Sequence, residues 1–447
     1  MMLSKKISRL LCAGLFYSGA GVADFIPLGY LDSTNFESVA TGVSNDGSVI
    51  SGYVDSISGM QGFYWNKDTG MQGIGILYPF ILNSESAALG VSDNGKVLVG
   101  WATTLKSNQL SKMATRWTVE NGFSTVVGPY SLLQDAGYDG VMVSGRQGSD
   151  ESFYGGVLWQ NNTAIKSYVL SGHRFDARAI SADIPVIALS DSYVLGGEFN
   201  ARSFLWDARV SGLVTIADLP GGSLYPQFIT AEDISVNGKV VVGVSEGENG
   251  YEAFRWTQAS GTQGLGTLSG FSSSHARGVS ANGKIIVGDV YNNINDGRAF
   301  IYTANNGLQD LQSVLESKLS LNLTGWRLDK ASAISANGMV IVGEGVNPQG
   351  KLEAWRVDIS GLFSADTDLD TVDDIYDNCL QVSNVRQIDA DQDGTGNYCD
   401  ADLNNDMQVD GSDYQALRSR LGSVDREADL NSDGNVTAID YALLRSL

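Results

Sequence analysis

The chain has 447 residues, 43 % of them hydrophobic, and a net charge of −22. That length predicts two or three domains with enough apolar content to bury a sizeable core. A strongly acidic chain with no basic stripe is a poor partner for nucleic acid or for an anionic membrane, so neither is expected as a ligand.

Residues 1–23 read as an export signal. Lys5, Lys6 and Arg9 form a basic start, Leu10 to Tyr17 a short apolar core, and Gly21-Val22-Ala23 the small residues before a cut at Ala23/Asp24. The competing reading is a buried N-terminal helix. No other stretch is long and apolar enough to span a bilayer. The mature chain is therefore expected to be secreted, extracellular or at a cell surface. Removing the signal removes Cys12 and leaves Cys379 and Cys399. In an oxidising compartment an isolated pair most simply bonds to itself.

Residues 24–362 are repetitive. GVSNDGSVISGY (42–53), GVSDNGKVLVGW (90–101), DISVNGKVVVGV (233–244), GVSANGKIIVGD (278–289) and AISANGMVIVGE (333–344) each place Asp-Gly or Asn-Gly between apolar runs. That composition predicts two strands joined by a tight hairpin turn with positive φ angles. GYDGVMVSGR (137–146) and ALSDSYVLGGE (188–198) are read as degenerate copies. A third strand follows each hairpin: GFYW (62–65), ATRW (114–117), GVLW (156–159), SFLW (203–206), AFRW (253–256), AFIY (299–302) and AWRV (354–357), recurring every 42–55 residues. A fourth strand then comes after a turn, as in MQGIGIL (71–77), LVTIADL (213–219) and QGLGTL (263–268).

Four strands per period of this length predict the blades of a β-propeller. An open β-solenoid is the rival. The last copy has no good fourth strand after Ile359, and FIPLGYL (25–31) before the first copy has fourth-strand character. The expected fold is thus all-β, a seven-bladed propeller closed by its N-terminal strand, which hides the sheet edges. The phrases GVSANG…IVG and AFRWT…GLGTL, with Ala253, Phe254 and Arg255, resemble the extracellular HAF-type repeat proteins. The AFRW phrase is expected to pack between blades rather than to hold a ligand.

No motif for catalysis emerges. His173 and His275 sit in no metal or triad pattern, and no nucleophile elbow or phosphate loop is present. Glu198, Glu246, Asp289 and Glu344 each end the second strand of a predicted hairpin. They are read as rim charges, with a carboxylate pair for glycoside cleavage as the alternative.

From Asp366 to Leu447 the chain carries 19 acidic and 5 basic residues. Asp366, Asp368 and Asp370, and again Asp389, Asp391 and Asp393, crowd carboxylates that repel unless a cation sits among them. A solvated acidic linker is the other reading. These triplets, with Asp374, Asp377-Asn378-Cys379, Asn384, Gln387, Gly394, Gly396 and Cys399-Asp400, resemble a thrombospondin type 3 repeat, although Leu369, Thr371 and Leu380 depart from it. The resemblance implies Ca2+ held by these aspartates and a Cys379–Cys399 bond in a spacer over 363–400.

Residues 402–413 (DLNNDMQVDGSD) and 429–440 (DLNSDGNVTAID) are twelve-residue loops with oxygen side chains at positions 1, 3, 5 and 12. Such spacing wraps a calcium ion. Each is followed by the same helical phrase, YQALRSRL (414–421) and YALLRSL (441–447). The duplicated unit over 401–447 is similar to a dockerin. The resemblance implies that Asp402, Asn404, Asp406, Asp413 and the Gln408 carbonyl ligate one ion, and Asp429, Asn431, Asp433, Asp440 and the Asn435 carbonyl the other. It also implies a cohesin-like scaffold partner met by Gly411, Ser412 and Arg418 or by Ala438, Ile439 and Arg445. Position 6 of such a loop turns sharply, and Met407 stands there in the first loop where Gly434 stands in the second, so the first should bind Ca2+ more weakly. A calcium-stabilised cap that needs no partner is the alternative.

These elements predict a secreted, calcium-stabilised, non-catalytic propeller that binds or scaffolds, tethered through its dockerin-like end. The alternatives are a component of polysaccharide degradation, with hydrolase or lyase chemistry on a propeller face, and a calcium-dependent adhesion protein.

Overall fold

The computed structural model describes residues 24–32, 37–148, 154–181, 185–195, 198–209, 212–222, 228–248, 250–292, 296–363, 377–379, 396, 399, 403, 411–423, 428–430 and 435–445. The segment 1–23, predicted to be an export signal, lies outside them.

Among the described residues the body is built of antiparallel strands in five four-stranded sheets and one eight-stranded sheet. The first meander is Ser38–Val43, Val49–Ser56, Gly59–Asn66 and Gly70–Gly75. The second runs from Ser86–Val91 through Leu98–Lys106 and Gln109–Thr118 to Gly122–Pro129. The eight-stranded sheet is two such meanders joined through one parallel bridge, Tyr154 to Arg174. Its halves begin at the innermost strands Ser131–Ala136 and His173–Ile180. The fifth and sixth meanders begin at Ile229–Ile234 and Ser273–Val279. In the last sheet, Arg327–Ile334, Val340–Val346 and Leu352–Asp358 take Phe25–Pro27 as their fourth strand, with Ile26 opposite Arg356.

That N-terminal strand joins the two ends of the body, and the same contacts that link consecutive meanders link the last to the first. A serine opening an innermost strand accepts a backbone N–H from the preceding meander: Gly62 to Ser86, Ala114 to Ser131, Ala253 to Ser274, and Ala354 to Ser38, at 2.9–3.0 Å. Turn backbones are linked likewise, Asn45 to Asp93 at 2.9 Å and Asn337 to Asn45 at 3.3 Å. The core is correspondingly distributed, with apolar clusters lying between neighbouring meanders. Ile50, Phe63 and Trp65 of the first pack with Val340, Val342 and Ala354 of the last. Phe254 and Trp256 of the AFRW phrase are buried between the fourth and fifth.

The repeated Ser-x-Asx-Gly phrase makes the turn differently from the expected two-residue hairpin. In 280–285, Ser280 Oγ donates to Asn282 Oδ1 at 2.8 Å, and the Ile285 N–H donates back to Ser280 Oγ at 3.0 Å. Gly283 alone takes a positive φ, +68°. The serine and Asx side chains lock a longer loop and leave only the glycine to adopt the left-handed conformation.

Two other expectations are corrected. The first two strands of the fourth meander are His173–Ile180 and Val186–Leu195, so the phrase at 188–198 is not a hairpin of the first two strands. Its second strand ends at Leu195, and Glu198 opens the third. An eight-residue helix, Leu311–Lys318 (α1), capped by Asp310, lies between the sixth and last sheets and buries Leu311 and Leu315. In the tail, Gly411–Arg420 forms α2 and Ala438–Leu444 forms α3. No helix among the described residues is long and apolar enough to cross a membrane.

Candidate functional site

Every innermost strand carries a β-bulge. The register slips between Ala40 and Gly42, Ala88 and Gly90, Leu133 and Asp135, Ala177 and Ala179, Ala231 and Asp233, Ala276 and Gly278, and Ala331 and Ala333. A bulge adds one residue opposite a regular strand and re-aims its side chain. The added residues are Thr41, Leu89, Gln134, Arg178, Glu232, Arg277 and Ser332, and all seven line one cavity of about 320 Å3 walled by the innermost strands. The cavity is the channel of the ring. The bulge also explains the glycine of the repeated Val-Gly step. A Cβ on Gly288 would lie 2.0 Å from the His275 carbonyl oxygen, and one on Gly243 would lie 2.0 Å from that of Thr230.

Of the seven bulge residues, the charged ones, Arg178, Glu232 and Arg277, lie on consecutive meanders. Arg178 Nη1 contacts Glu232 Oε2 at 3.1 Å, Arg277 pairs with Asp289, and Lys330 with Glu344. Burial would raise the Glu232 carboxyl, but Arg178, with His275 and Arg277, outweighs it and holds the group down to about 2. Burial pushes the His275 imidazole down, helped by Arg277, so it is neutral near pH 7. The predicted rim acids Asp289 and Glu344 therefore belong to this charged mouth. Glu246 is half-exposed, and the Glu198 side chain lies outside the described residues.

Immediately after the bulge, Asp135 and Asp233 bind the next meander. Asp135 Oδ2 accepts the Ile180 N–H at 3.0 Å and Asp233 Oδ2 the Val279 N–H at 2.8 Å. Burial pushes both carboxyls up to about 7 in spite of these bonds.

The second candidate site is the tail. Both helices start at position 10 of their loops, Gly411 and Ala438. Position 12 is buried in each, Asp413 and Asp440, and so is Asp429 at position 1 of the second loop. Asp440 Oδ2 accepts the Thr437 N–H at 2.7 Å, closing a capping box. Leu403, Leu417, Leu430, Val436 and Leu444 form a small core between the two halves, with Tyr414 and Tyr441 edge to face at 6.0 Å. Gly411, Ser412 and Arg418 are exposed on α2, and Ala438, Ile439 and Arg445 on or just after α3. Asn435 is exposed as well. Buried carboxylates in an all-oxygen donor set suit a hard cation such as Ca2+. The remaining predicted ligands Asp402, Asn404, Asp406, Gln408, Asn431 and Asp433 lie outside the described residues, as do Asp366, Asp368, Asp370, Asp374, Asp389, Asp391 and Asp393.

Of the spacer, Asp377 is buried, its Oδ1 accepting the Cys379 N–H at 2.8 Å. Cys379 and Cys399 are disulfide-bonded, Cα atoms 5.6 Å apart.

Among solved structures, the β-propeller domain of the Trilobed protease from Pyrococcus furiosus is similar at 6 % identity and a TM-score of 0.49, covering 72 % of this chain and 95 % of that one. TolB from Acinetobacter baumannii is similar at 14 % identity and 0.39, covering 70 % and 80 %. Dipeptidyl peptidase 4 of Porphyromonas gingivalis is similar at 10 % and 0.43, covering 74 % and 53 %. No curated protein matches the chain. The body is an all-β, propeller-like arrangement of four-stranded meanders, and the family profile of the Dockerin type I domain matches residues 400–446, so the chain carries a dockerin type I domain there.

Proposed function

We propose that this is an exported, calcium-stabilised propeller protein held on a cohesin-type scaffold through its C-terminal dockerin. The carrying observation is the duplicated tail: two helices that start at the same loop position, each with a buried aspartate at position 12, within a dockerin match over 400–446. Asp402, Asn404, Asp406, Asp413 and the Gln408 carbonyl would hold one Ca2+. Asp429, Asn431, Asp433, Asp440 and the Asn435 carbonyl would hold the second. The ions supply the counter-charge that lets these acids pack beside the small core. The exposed sets Gly411, Ser412, Arg418 and Ala438, Ile439, Arg445 are two related faces for one partner. Their pairs at positions 10 and 11 differ, so the two faces are not equivalent.

The eight-stranded sheet counts as two blades in this reading. The ring then has seven, over 24–362, in the manner of the HAF-type repeats. Residues 363–400 form a calcium spacer of thrombospondin type 3 kind, with Asp366, Asp368, Asp370, Asp374, Asp377, Asp389, Asp391 and Asp393 as ligands. The ring is taken as a binding rather than a catalytic unit, because the mouth acids Glu232, Asp289 and Glu344 are engaged by Arg178, Arg277 and Lys330. The test is capture of the full chain by a panel of immobilised cohesin domains. Retention in Ca2+ and release by EDTA is expected. Failure of every cohesin to retain the calcium-loaded chain would leave the tail as a cap.

A further inference from the structure

The strands of the meanders run between the end of the channel that carries the Ser-x-Asx-Gly turns of the first, second, fifth, sixth and last meanders and a second mouth at the other end. At that second mouth lies a cavity of about 480 Å3 spanning the third to sixth meanders. It shares Arg178 and Glu232 with the channel. It continues at Arg146, Tyr154 and Arg174 into a neighbouring space of about 320 Å3. Together they form a trough of the size used for small ligands.

We propose that this trough binds a short acidic oligosaccharide, with Arg146, Arg174 and Arg178 meeting its anionic groups and Tyr251 and Tyr291 its ring faces. The charges are layered in depth. The side chains of Asp176 and Glu232 are 9 % and 17 % exposed, whereas those of Arg146 and Arg178, which pair with them, are 27 % and 32 % exposed. The acids form the floor and the guanidinium groups cover them, so a ligand meets donors first.

The floor also fixes those donors. Arg146 is held 2.9 Å from Asp176 and stacks over Tyr154 at 4.2 Å. Guanidinium forks anchored in this way bind carboxylate or sulfate oxygens with little ordering cost. Asp191, in the lining, is itself held by Arg202 at 2.7 Å and His173 at 2.9 Å, neither of which lines the trough. Asp176 Oδ1 and Arg178 Nε are buried without a hydrogen-bond partner, which marks the floor as a place where polar groups are incompletely met by the chain itself.

Tyr251 is 41 % exposed and braced edge-on by Phe228 at 4.9 Å, presenting a flat apolar face beside the donors. A ring with hydroxyls on its edge and an anionic substituent uses both surfaces at once. Asp176, Asp191 and Glu232 beneath the guanidinium groups limit the positive charge of the trough, so a short chain with few charges is the fitting occupant. This assignment does not rest on the tether reading.

The test is calorimetric titration of the full, calcium-loaded chain with four probes: a galacturonate tetramer, a sulfated galactan tetramer free of uronic acid, cellotetraose and a single-stranded DNA hexamer. An acidic tetramer should bind, more weakly as salt rises, and which of the two binds tells carboxylate from sulfate. Cellotetraose and DNA should bind at least tenfold more weakly (~10-fold per 1.4 kcal/mol). Arg174→Ala and Arg146→Gln should each weaken binding by about tenfold or more. Lys239→Ala, at the turn end, should change nothing. Unchanged thermal transitions in the variants keep the comparison valid. No binding, equal binding of the neutral tetramer, tighter binding of DNA, or indifference to Arg174→Ala would overturn the proposal.

Discussion

The two aspartates that tie neighbouring meanders through the channel wall make stability depend on pH in an unusual direction. Burial raises Asp135 and Asp233 from 3.8 to about 7. A carboxyl whose folded value lies above its unfolded value binds its proton more tightly when folded. Its contribution is therefore full below about 3.8, declines as pH rises, and is lost above about 7. A shift of this size sets an upper bound of about 4 kcal/mol per group. Both residues border a water-accessible channel and are only partly covered, so about 1–2 kcal/mol each is the working expectation. In Asp135→Asn/Asp233→Asn the amide oxygen still accepts the Ile180 or Val279 N–H but cannot ionise. Each amide also gives up one further backbone bond, from Ala136 or Ile234, worth about 1 kcal/mol. The double variant should therefore be about 2 kcal/mol less stable than the parent at pH 4.5 and equal or more stable at pH 8. Urea unfolding followed by tryptophan fluorescence in saturating Ca2+ measures this. Taking the difference between the two proteins at each pH removes the opposite trend of the calcium ligands. A difference that stays constant from pH 4.5 to 8 would refute the raised values.

Calcium titration of the full chain should resolve two tail sites of unequal affinity, by roughly 5- to 30-fold from a strain of about 1–2 kcal/mol at Met407. Met407→Gly should narrow that gap, and equal parent affinities would count against it. Cys379→Ser/Cys399→Ser opens a loop of sequence separation 20. It should cost the spacer about 3 kcal/mol, read as earlier proteolysis in the spacer with the ring's thermal transition unmoved. Gly288→Ala drives a Cβ into the His275 carbonyl and should lower stability by about 3 kcal/mol. A loss under about 0.5 kcal/mol would show that the bulge can relax.

The repeat phrases made the strands legible because each carries its own turn chemistry and strand composition. FIPLGYL could be recognised as the missing fourth strand from its likeness to QGLGTL. The bulges were less legible, since a single inserted residue does not disturb an apolar pattern enough to reveal register. Only aligning Ala276-Arg277-Gly278 with Ala40-Thr41-Gly42 and Ala231-Glu232-Asp233 exposes the extra column. The fourth meander misled because its turn lacks the Ser-x-Asx-Gly phrase, and Ser190-Asp191-Ser192 mimics a turn in the middle of a strand. Helix α1 was missed although Asp310 before Leu311, Val314 and Leu315 is a readable cap and apolar face. The trough itself had no linear signal: Arg146, Arg174, Arg178 and Tyr251 come from three meanders and meet only once the ring is formed.

The bulge column separates what folding requires from what it does not. Thr41, Leu89, Gln134 and Ser332 occupy the same place in their strands as Arg178, Glu232 and Arg277, so the ring is built as well with neutral residues there as with charged ones. The charged members are consecutive, in the fourth, fifth and sixth meanders, next to the trough. Desolvating an ion pair costs as much as or more than its mutual attraction returns, and replacing both partners by apolar groups is often neutral or stabilising by about 1–4 kcal/mol. Removing one partner leaves a buried charge uncompensated and costs about 3–5 kcal/mol. Arg178→Leu/Glu232→Leu should accordingly match or exceed the parent in thermal stability. Arg178→Leu alone, which strands Glu232 beside a neutral His275, should be clearly destabilised. If the double variant were as unstable as the single one, the pair would be part of the ring's framework, and the concentration of charge at this mouth would need no ligand to explain it.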